Sequence, residues 1–311
     1  MNNKPYIVIL AGGEGIRFAP LSTPERPKQF MNIVNPHRSM LQETWDRVSL
    51  LTEVSRIFVS TNLRYVSLVQ AQLPQLPKEN IIAEPLKKNT APAMAYICAL
   101  IAKQNPEAVV LFLPSDHFIE NAGRAREIFQ EAISFAGQQN KLITFGIVPT
   151  ESSPHYGYIC ASPKKQGLFA HAVNSFVEKP TIELAQSYLR AGNYFWNSGM
   201  FVWKASFFLE ELNVYCPEMF ALLQQKGRAD GSTGSPCPGL SIQAFFERVP
   251  SVSVDYAVME KSKNVSVFPF NAGWSDVGTW NGLKNLAEQY AVSLPESVQS
   301  YLITHNPPTL L

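Results

Sequence analysis

The sequence of 311 residues has little charge and little cysteine. Only 16% of its residues are charged, and 26 Lys and Arg against 25 Asp and Glu leave a net charge of +1. This balance argues against sequence-independent binding to nucleic acid or to an anionic membrane surface, so a bound anion must be held by local groups. The four cysteines form neither a CxxC pair nor a metal-ligand spacing, which argues against a disulfide framework and favours a reducing compartment.

Long hydrophobic runs are also absent. The longest stretch of low polarity, residues 91–102, contains Pro92 and is far shorter than the ~20 residues that cross a bilayer. The apolar run over residues 6–11 is too short for a secretory signal, and no small-residue cleavage pattern follows it. We therefore expect no membrane or secretory role and a cytoplasmic location.

The first half of the chain alternates short apolar runs with amphipathic segments. This alternation is typical of βαβ units, and runs that are apolar throughout suit strands covered on both faces of a largely parallel sheet. Ser39 begins a capping-box pattern before one helix, and Thr90 can cap a second with Pro92 in its first turn. The predicted strands are residues 6–11, 57–60, 81–83, 108–113 and 142–147, and a third helix is predicted over 125–136.

After about residue 150 the pattern becomes richer in predicted strands. The segment over 224–239 is rich in Gly, Ser and Pro, which is typical of a surface loop. The sequence contains no clear linker, so we expect one mixed-sheet domain with an insertion in its second half rather than two independent domains. The predicted strands are residues 171–178, 199–203 and 265–270, with helices near 181–190 and 205–212.

A glycine-rich loop follows the first predicted strand. Gly12, Gly13 and Gly15 tolerate positive φ and leave the backbone uncovered, so that successive N–H groups can face one anion. The GxxxxGK[ST] pattern of the P-loop does not occur, and the dinucleotide fingerprint GxGxxG would require glycine where Phe18 stands.

Two cations, Arg17 and Lys28, follow the glycines and suit a triphosphate, because negative charge must be neutralised as a phosphoryl bond breaks. The alternative for the loop alone is a surface turn with solvated cations. Pro20, Pro24 and Pro27 stiffen the segment and favour the phosphate site.

Many motifs occur in order and resemble those of the nucleoside-diphosphate-sugar pyrophosphorylases. The loop over residues 12–17, followed by Arg-Pro-Lys-Gln-Phe over 26–30, resembles the signature of the whole family. The Arg-Pro-Lys-Gln-Phe ending resembles in particular the guanylyltransferase branch, which acts on mannose 1-phosphate. The resemblance covers about residues 5–285. The further matching motifs are residues 83–85, 89–92, 113–117, 156–159, 177–180, 196–201, 253–261 and 273–280.

Asp116 follows an apolar run and is predicted at the carboxyl end of a central strand, where open α/β sheets place ligands. Asp276 lies in a Gly-flanked turn and can supply a second carboxylate to a Mg²⁺ site. The alternative is that Asp116 starts a turn and Asp276 precedes a helix capped by Thr279. The resemblance implies that both residues bind the catalytic divalent cation, Mg²⁺ or another.

The resemblance also implies roles for residues along the rest of the chain. Glu178 and Lys179 end a predicted strand before Pro180, and without the resemblance a surface ion pair is the favoured interpretation. Residues implied to line the sugar pocket are Gly157, Glu178, Asn197 and Asp255, with Lys179 on the sugar phosphate. Residues implied on the nucleotide are Ala11, Gly12, Gly13, Gly15, Glu84, Asn89, Thr90 and Ser115, and the implied catalytic groups are Arg17, Lys28 and Asp116.

The implied reaction transfers a guanylyl group from GTP to mannose 1-phosphate with release of pyrophosphate. His117 and His155 are not needed as general bases, because a sugar phosphate is already ionised at neutral pH. The alternatives are another hexose or heptose 1-phosphate, another nucleoside triphosphate, or a catalytically silent sugar-nucleotide sensor.

The implied architecture is a Rossmann-like α/β fold with a mixed, mostly parallel sheet flanked by helices and a smaller sugar-binding subregion. We expect a nucleotidyltransferase domain over residues 1–290, with a nucleotide part to about 150, a sugar-phosphate part over 151–290, and a short tail over 291–311. About twenty residues follow this domain, so we expect a monofunctional chain. The chain is also a possible homodimer.

Overall fold

The strands of the first half form where the sequence is apolar over its whole length. A computed structural model describes residues 4–15, 18–166, 169–225 and 241–304. Most of the predicted loop over 224–239, together with Arg17 and Cys237, lies outside the described residues. The strands are β1 (Tyr6–Leu10), β2 (Ile57–Asn62), β3 (Ile81–Glu84), β4 (Val109–Pro114), β5 (Leu142–Ile147), β6 (Tyr158–Gln166), β7 (Ala170–Val177), β8 (Tyr194–Lys204) and β9 (Val265–Pro269).

The helices begin and end at residues with capping chemistry. Ser39 caps α1 through a full capping box with Gln42, and Thr181 and Gly192 cap the two ends of α5. The helices are α1 (Met40–Val48), α2 (Val66–Gln72), α3 (Thr90–Gln104), α4 (Ala122–Gln138), α5 (Ile182–Ala191), α6 (Ala205–Tyr215), α7 (Pro217–Gln224), α8 (Ile242–Arg248), α9 (Trp280–Tyr290) and α10 (Glu296–Thr304).

The chain divides into two units. The larger unit takes its described residues from Met1–Val8, Glu84–Leu113 and Glu127–Asn271. The smaller unit takes them from Ile9–Ala83, Pro114–Arg126 and Ala272–Leu311. Each unit thus combines segments from both halves of the sequence. We also expect residues up to about 150 to bind the nucleotide and residues 151–290 to bind the sugar phosphate, and this division stays a prediction.

In the larger unit the sheet order is β1-β4-β8-β5-β9-β7-β6, with β8 also paired to β6. β8 is antiparallel to β4, β5 and β6, while β9 is parallel to β5 and antiparallel to β7. Four of these strands, β4, β5, β6 and β9, therefore share one direction, and β7 and β8 run against them. The predicted mixed, mostly parallel α/β sheet is confirmed.

The core of the larger unit is aromatic. Trp203 on β8 is fully buried, stacks on Phe208 of α6 with ring centroids 4.5 Å apart, and packs on Phe112 of β4. Stacked and tilted aromatic pairs of this kind stabilise a core beyond the area they bury.

In the smaller unit the strand order is β3-β2-β1, with β1 represented by its last residues. A second hydrophobic cluster packs α9 and α10 against the segment that follows the glycine loop. Phe18 is a buried member of this cluster, and its ring contacts Trp280 at a centroid distance of 4.8 Å. The predicted tail thus contains a packed helix, and Leu294 and Val298 supply buried side chains from it.

Several boundaries differ from the predictions. Asn89, with φ 68°, is the residue that caps α3, so the prediction that Thr90 caps this helix is wrong; Thr90 is its first residue. Strand β8 begins five residues earlier than predicted, and β6 was not predicted at all. Pro92 does lie in the first turn of α3, as expected.

Candidate active site

A buried lysine joins two remote acidic positions in the smaller unit. Lys28 opens a short 3₁₀ turn after Pro27, and its side chain is only 2% exposed. Its Nζ lies 3.1 Å from Oδ2 of Asp116 and donates to the backbone carbonyl of Asp276 at 2.6 Å. A buried ammonium is stable only when it is paired and hydrogen-bonded, and both conditions are met. The three predicted residues Lys28, Asp116 and Asp276 therefore lie together, although 248 positions separate the first from the last.

The two aspartates are held by the backbone around them. An antiparallel bridge between Phe118 and Ser275 ties their two segments together. Val277 has φ 47° and is completely buried. A β-branched residue in the left-handed region is strained, and such strain collects at functional sites where packing maintains it. Thr279 caps α9 just after this turn, as the alternative interpretation of Asp276 described.

The carboxylates of Asp116 and Asp276 suit a divalent cation of the hard type. Mg²⁺ is bound in proteins by one or two carboxylates, with substrate phosphates and water completing its shell. Across the described ranges, no group of three or more His, Cys, Asp or Glu side chains is arranged to hold a metal. The donor set therefore fits Mg²⁺ shared with a phosphate ligand better than a metal held by protein groups alone.

A buried side chain holds the glycine loop through hydrogen bonds to its backbone. Gln29, 2% exposed, donates from Nε2 to the carbonyl oxygens of Ala11 and Gly13. Ala11 also donates its N–H to the carbonyl of Ser60 at 2.7 Å, so that its own amide is already used. Gly15 has φ +57°, and a Cβ there would overlap the backbone of Lys28, so glycine is required.

The remaining residues around the glycine loop differ in burial and in their hydrogen-bond or ion-pair partners. The N–H of Ser115 donates to the carbonyl of Leu10 at 3.0 Å, and the side chain of Ser115 is buried. Gly12 is half-buried and Gly13 is exposed. Glu14 lies 3.7 Å from Arg64, which fits a carboxylate that shapes the loop.

His117 lies beside Asp116 but has the environment of a structural residue. Burial lowers the pKa of its imidazole to about 4, and Trp274 donates from Nε1 to its Nδ1 at 3.2 Å. A neutral ring that already accepts this bond supports the expectation that His117 is not a general base. His155 is an exposed turn residue of the larger unit whose N–H donates to Oγ of Ser153.

A second polar cluster lies in the larger unit, around Asn197 of β8. The Oδ1 of Asn197 accepts from Thr144 Oγ1 at 2.9 Å and from the N–H of Gly199 at 3.3 Å. Since an N–H can only donate, the Gly199 contact fixes which end of the amide is oxygen. The Nδ2 of Asn197 accordingly donates to Oδ1 of Asp255 at 2.9 Å. The backbone of Asn197 also donates to the carbonyl of Gly157 at 2.8 Å.

Asp255 begins a π-helical turn, Asp255–Met259. Burial and, secondly, the charge of Glu178 together raise the pKa of its carboxyl to about 7, and the bond from Asn197 opposes the rise. π-helical turns occur frequently at functional sites, and a carboxyl poised near neutrality in a polar cluster is typical of one.

Glu178 and Lys179 complete this cluster. Lys179 Nζ lies 2.9 Å from Glu178 Oε1, while the backbone N–H of Glu178 donates to Glu260. The Lys179 ammonium is largely exposed, and its backbone has φ 48°. A Cβ on Gly157 would overlap Oε2 of Glu178, which shows how closely these two residues approach. Gly157, Glu178, Lys179, Asn197 and Asp255 thus lie together in the larger unit, and their role toward a sugar phosphate stays a prediction.

The turn over Asn89 and Thr90 is tied to the segment that precedes Asp255. Thr90 Oγ1 accepts from the N–H of Val254 at 2.9 Å, and the backbone of Val252 bonds to both Lys88 and Ala91. Glu84, at the end of β3, is 7% exposed. The roles of Glu84, Asn89 and Thr90 toward a nucleotide stay predictions.

Sequence reasoning missed three residues of these clusters. Gln29 belongs to the Arg-Pro-Lys-Gln-Phe motif over residues 26–30, but nothing in this motif shows that its amide bonds to the glycine loop. Thr144 lies within an apolar predicted strand, and Glu260 is followed directly by Lys261. Neither pattern indicates that these side chains bond to residues of the polar cluster.

Comparison with known proteins assigns the family. The family model for nucleotidyl transferases matches residues 6–293. The chain belongs to the nucleotidyl transferase family. This confirms the motif resemblance at the level of the family. No helix among the described segments is long and apolar enough to span a membrane.

Several relatives are similar over most of the chain. The xanthan biosynthesis protein XanB of Xanthomonas campestris is 42% identical over 286 residues, covering 91% of this chain and 59% of XanB. A mannose-1-phosphate guanylyltransferase of Salmonella muenchen is 40% identical over 299 residues, covering 92% of this chain and 60% of the enzyme. The chain therefore spans about 60% of the length of these curated relatives.

A crystal structure described as a mannose-1-phosphate geranyltransferase from Thermus thermophilus is similar in fold. Its TM-score is 0.79 at 28% sequence identity, with 91% of this chain and 79% of that chain covered. A UDP-glucose pyrophosphorylase with bound UDP-glucose, 14% identical with a TM-score of 0.52, shares the fold; 92% of this chain and 98% of that chain are covered.

Proposed function

We propose that this chain transfers a guanylyl group from GTP to mannose 1-phosphate, giving GDP-mannose and pyrophosphate. The observation that carries the proposal is the meeting of Lys28, Asp116 and Asp276 beside a glycine loop in a nucleotidyl transferase family member. The choice of GTP and mannose 1-phosphate is supported by the names of relatives about 40% identical to the chain.

The triphosphate is assigned to the smaller unit. Backbone N–H groups of the loop over residues 12–15 face its oxygens, and Lys28 lies next to the loop. Arg17, which lies outside the described residues, is assigned with Lys28 to the departing pyrophosphate. Fixed positive groups of this kind stabilise the charge that develops as the phosphoryl bond breaks.

Asp116 and Asp276 would hold Mg²⁺, which when bound supplies positive charge to the phosphate oxygens and orients them. Because Asp116 also pairs with Lys28, the lysine fixes where this carboxylate points. Lys28 also donates to the backbone carbonyl of Asp276, so that one side chain holds both aspartate-bearing segments, while the Asp276 carboxylate itself accepts from the N–H of Gly278.

Mannose 1-phosphate is assigned to the cluster of Gly157, Glu178, Asn197 and Asp255, with Lys179 on its phosphate. Carboxylate and amide groups fixed by neighbours suit sugar hydroxyls, which need directed hydrogen bonds. The attacking phosphate oxygen is already ionised, so the protein positions the two substrates and neutralises charge without abstracting a proton. The oxygen forms a bond to the α-phosphorus of GTP as the bond to pyrophosphate breaks.

The test is pyrophosphate release from a panel of substrates. The purified chain is incubated with GTP, ATP or UTP against mannose, glucose and heptose 1-phosphates, with Mg²⁺ or with a chelator. We expect GTP with mannose 1-phosphate and Mg²⁺ to give the highest kcat/KM. A higher kcat/KM for another pair would overturn the assigned substrates, and tight GDP-mannose binding without any release would indicate a sensor.

Asp116→Asn is the companion variant. We expect it to reduce turnover far more than stability, because asparagine preserves the shape of this partly exposed side chain. The melting temperature should fall to some extent, because the buried Lys28 ammonium loses its charged partner. Unchanged activity in this variant would refute its role as a metal ligand.

A further inference from the structure

The side chain of Gln29 bonds to alternate carbonyls of the glycine loop. Its Nε2 donates to the carbonyl oxygen of Ala11 at 3.0 Å and to that of Gly13 at 2.6 Å. A primary amide nitrogen carries two hydrogens, so both are used by these two bonds. Gln29 is 2% exposed and lies directly after Lys28 in the same 3₁₀ turn.

These two bonds determine where two backbone N–H groups point. In a planar trans peptide, the carbonyl oxygen of one residue and the N–H of the next project in opposite directions. The carbonyls of Ala11 and Gly13 both point toward Gln29. The N–H groups of Gly12 and Glu14 therefore both point away from Gln29, toward the other side of the loop.

The two peptides are supported to different degrees. The carbonyl of Ala11 also accepts from Thr61 Oγ1 at 2.9 Å, and its N–H is bonded to Ser60, so several groups hold the first peptide. For the peptide between Gly13 and Glu14, Gln29 donates to the carbonyl oxygen of Gly13 at 2.6 Å, and Gly13 itself is exposed. The second peptide should depend more strongly on Gln29 than the first.

We propose that Gln29 is a positioning residue for triphosphate binding, which fixes two peptide planes so that the N–H groups of Gly12 and Glu14 face the same anion. This inference rests on the proposed function for the assignment of the loop to a triphosphate. The amide is required because a glutamate would set carboxylate oxygens against carbonyl oxygens, and an apolar side chain would remove the bond to the Gly13 carbonyl while the Ala11 carbonyl kept its bond from Thr61.

The test compares Gln29→Met with Thr61→Val. The first variant keeps side-chain length and removes both loop bonds, while the second removes one bond to Ala11 and leaves Gly13 held. We expect Gln29→Met to raise the KM and the calorimetric Kd for GTP at least tenfold, with the KM for mannose 1-phosphate within twofold. Thr61→Val should have a clearly smaller effect on GTP.

Equal losses of affinity for both substrates, or a Kd for GTP within twofold of the wild type, would show that Gln29 only stabilises the fold and would overturn the proposal. A measurement on the wild type covers the case in which Gln29→Met does not fold. On addition of inorganic tripolyphosphate, the amide resonances of Gly12 and Glu14 should shift more than that of Ala11. No shift at Gly12 and Glu14 would also overturn the proposal, and this binding test is independent of whether the chain transfers guanylyl groups.

Discussion

Lys28 Nζ and Asp116 Oδ2 lie 3.1 Å apart, and the same ammonium donates to the carbonyl of Asp276. The lysine is almost completely buried, whereas the side chain of Asp116 is 28% exposed. One carboxylate oxygen is thus fixed by a buried cation while part of the group remains accessible. This arrangement suits an aspartate that must present oxygen atoms to a ligand in one orientation.

Replacement of this cation should reduce turnover severely. We expect Lys28→Met to lower kcat by about 10²- to 10³-fold, the range observed when one preorganised donor to a developing charge is removed. Lys28→Arg retains the charge but not the compact geometry, and should keep more activity than Lys28→Met. Steady-state kinetics with melting curves for both variants would check this, and a Lys28→Met variant within tenfold of the wild type would contradict it.

Two glycines of the loop should respond differently to alanine. At Gly15, φ is +57° and a Cβ would overlap the backbone nitrogen of Lys28, whereas a Cβ at Gly13 meets nothing within 4 Å. Gly15→Ala should therefore lower the free energy of unfolding by about 1–3 kcal/mol, the cost of a strained backbone position. Gly13→Ala should change it by less than about 0.5 kcal/mol. Urea unfolding of the two variants measures this difference, and equal stabilities would show that the loop conformation is wrong.

Gly157→Ala should affect sugar-phosphate binding rather than stability. The added Cβ would meet the end of the Glu178 side chain, which is flexible and can move, so the fold should tolerate it. Displacing this carboxylate should raise the KM for mannose 1-phosphate, while the KM for GTP and the melting temperature stay near wild-type values. If both KM values rose together, Glu178 would not be specific to the sugar phosphate.

The strands could be predicted from the sequence because their burial on both faces requires apolar residues throughout. β6 could not be predicted in this way, because Lys164 and Lys165 in its second half interrupt the apolar run that indicates a buried strand. The start of α3 was placed one residue late because Asn89 caps it from a positive-φ conformation, which the pattern at Thr90 did not reveal.

The candidate site could be predicted only as a set of residues. The motifs supplied Lys28, Asp116 and Asp276, but their contact depends on a backbone bridge between Phe118 and Ser275 that tertiary folding creates. The support from Gln29 and Thr144 arises in the same way, because each bonds to a group that only the folded chain brings near.

The buried carboxyl of Asp255 should make stability depend on pH. Its pKa is raised from 3.8 to about 7 by burial and by Glu178, with Lys179 and Asn197 opposing the rise. Between about pH 4 and 7 the folded state holds a proton that the unfolded chain has lost, so the contribution of Asp255 to stability falls as pH rises through this window.

Asp255→Asn should remove that contribution. The difference in free energy of unfolding between the variant and the wild type, followed by urea unfolding from pH 4.5 to 7.5, should therefore shift in favour of the variant as pH rises. It should level off above about pH 7. A difference that does not change with pH would show that Asp255 keeps its ordinary pKa in the folded protein.

The most direct measurement for the whole account is a crystal structure of the chain with GTP and Mg²⁺. The account predicts the triphosphate against the N–H groups of the glycine loop and beside Lys28, with the cation on Asp116 and Asp276. A nucleotide bound elsewhere on the protein, with the loop and both aspartates free of ligand, would contradict it.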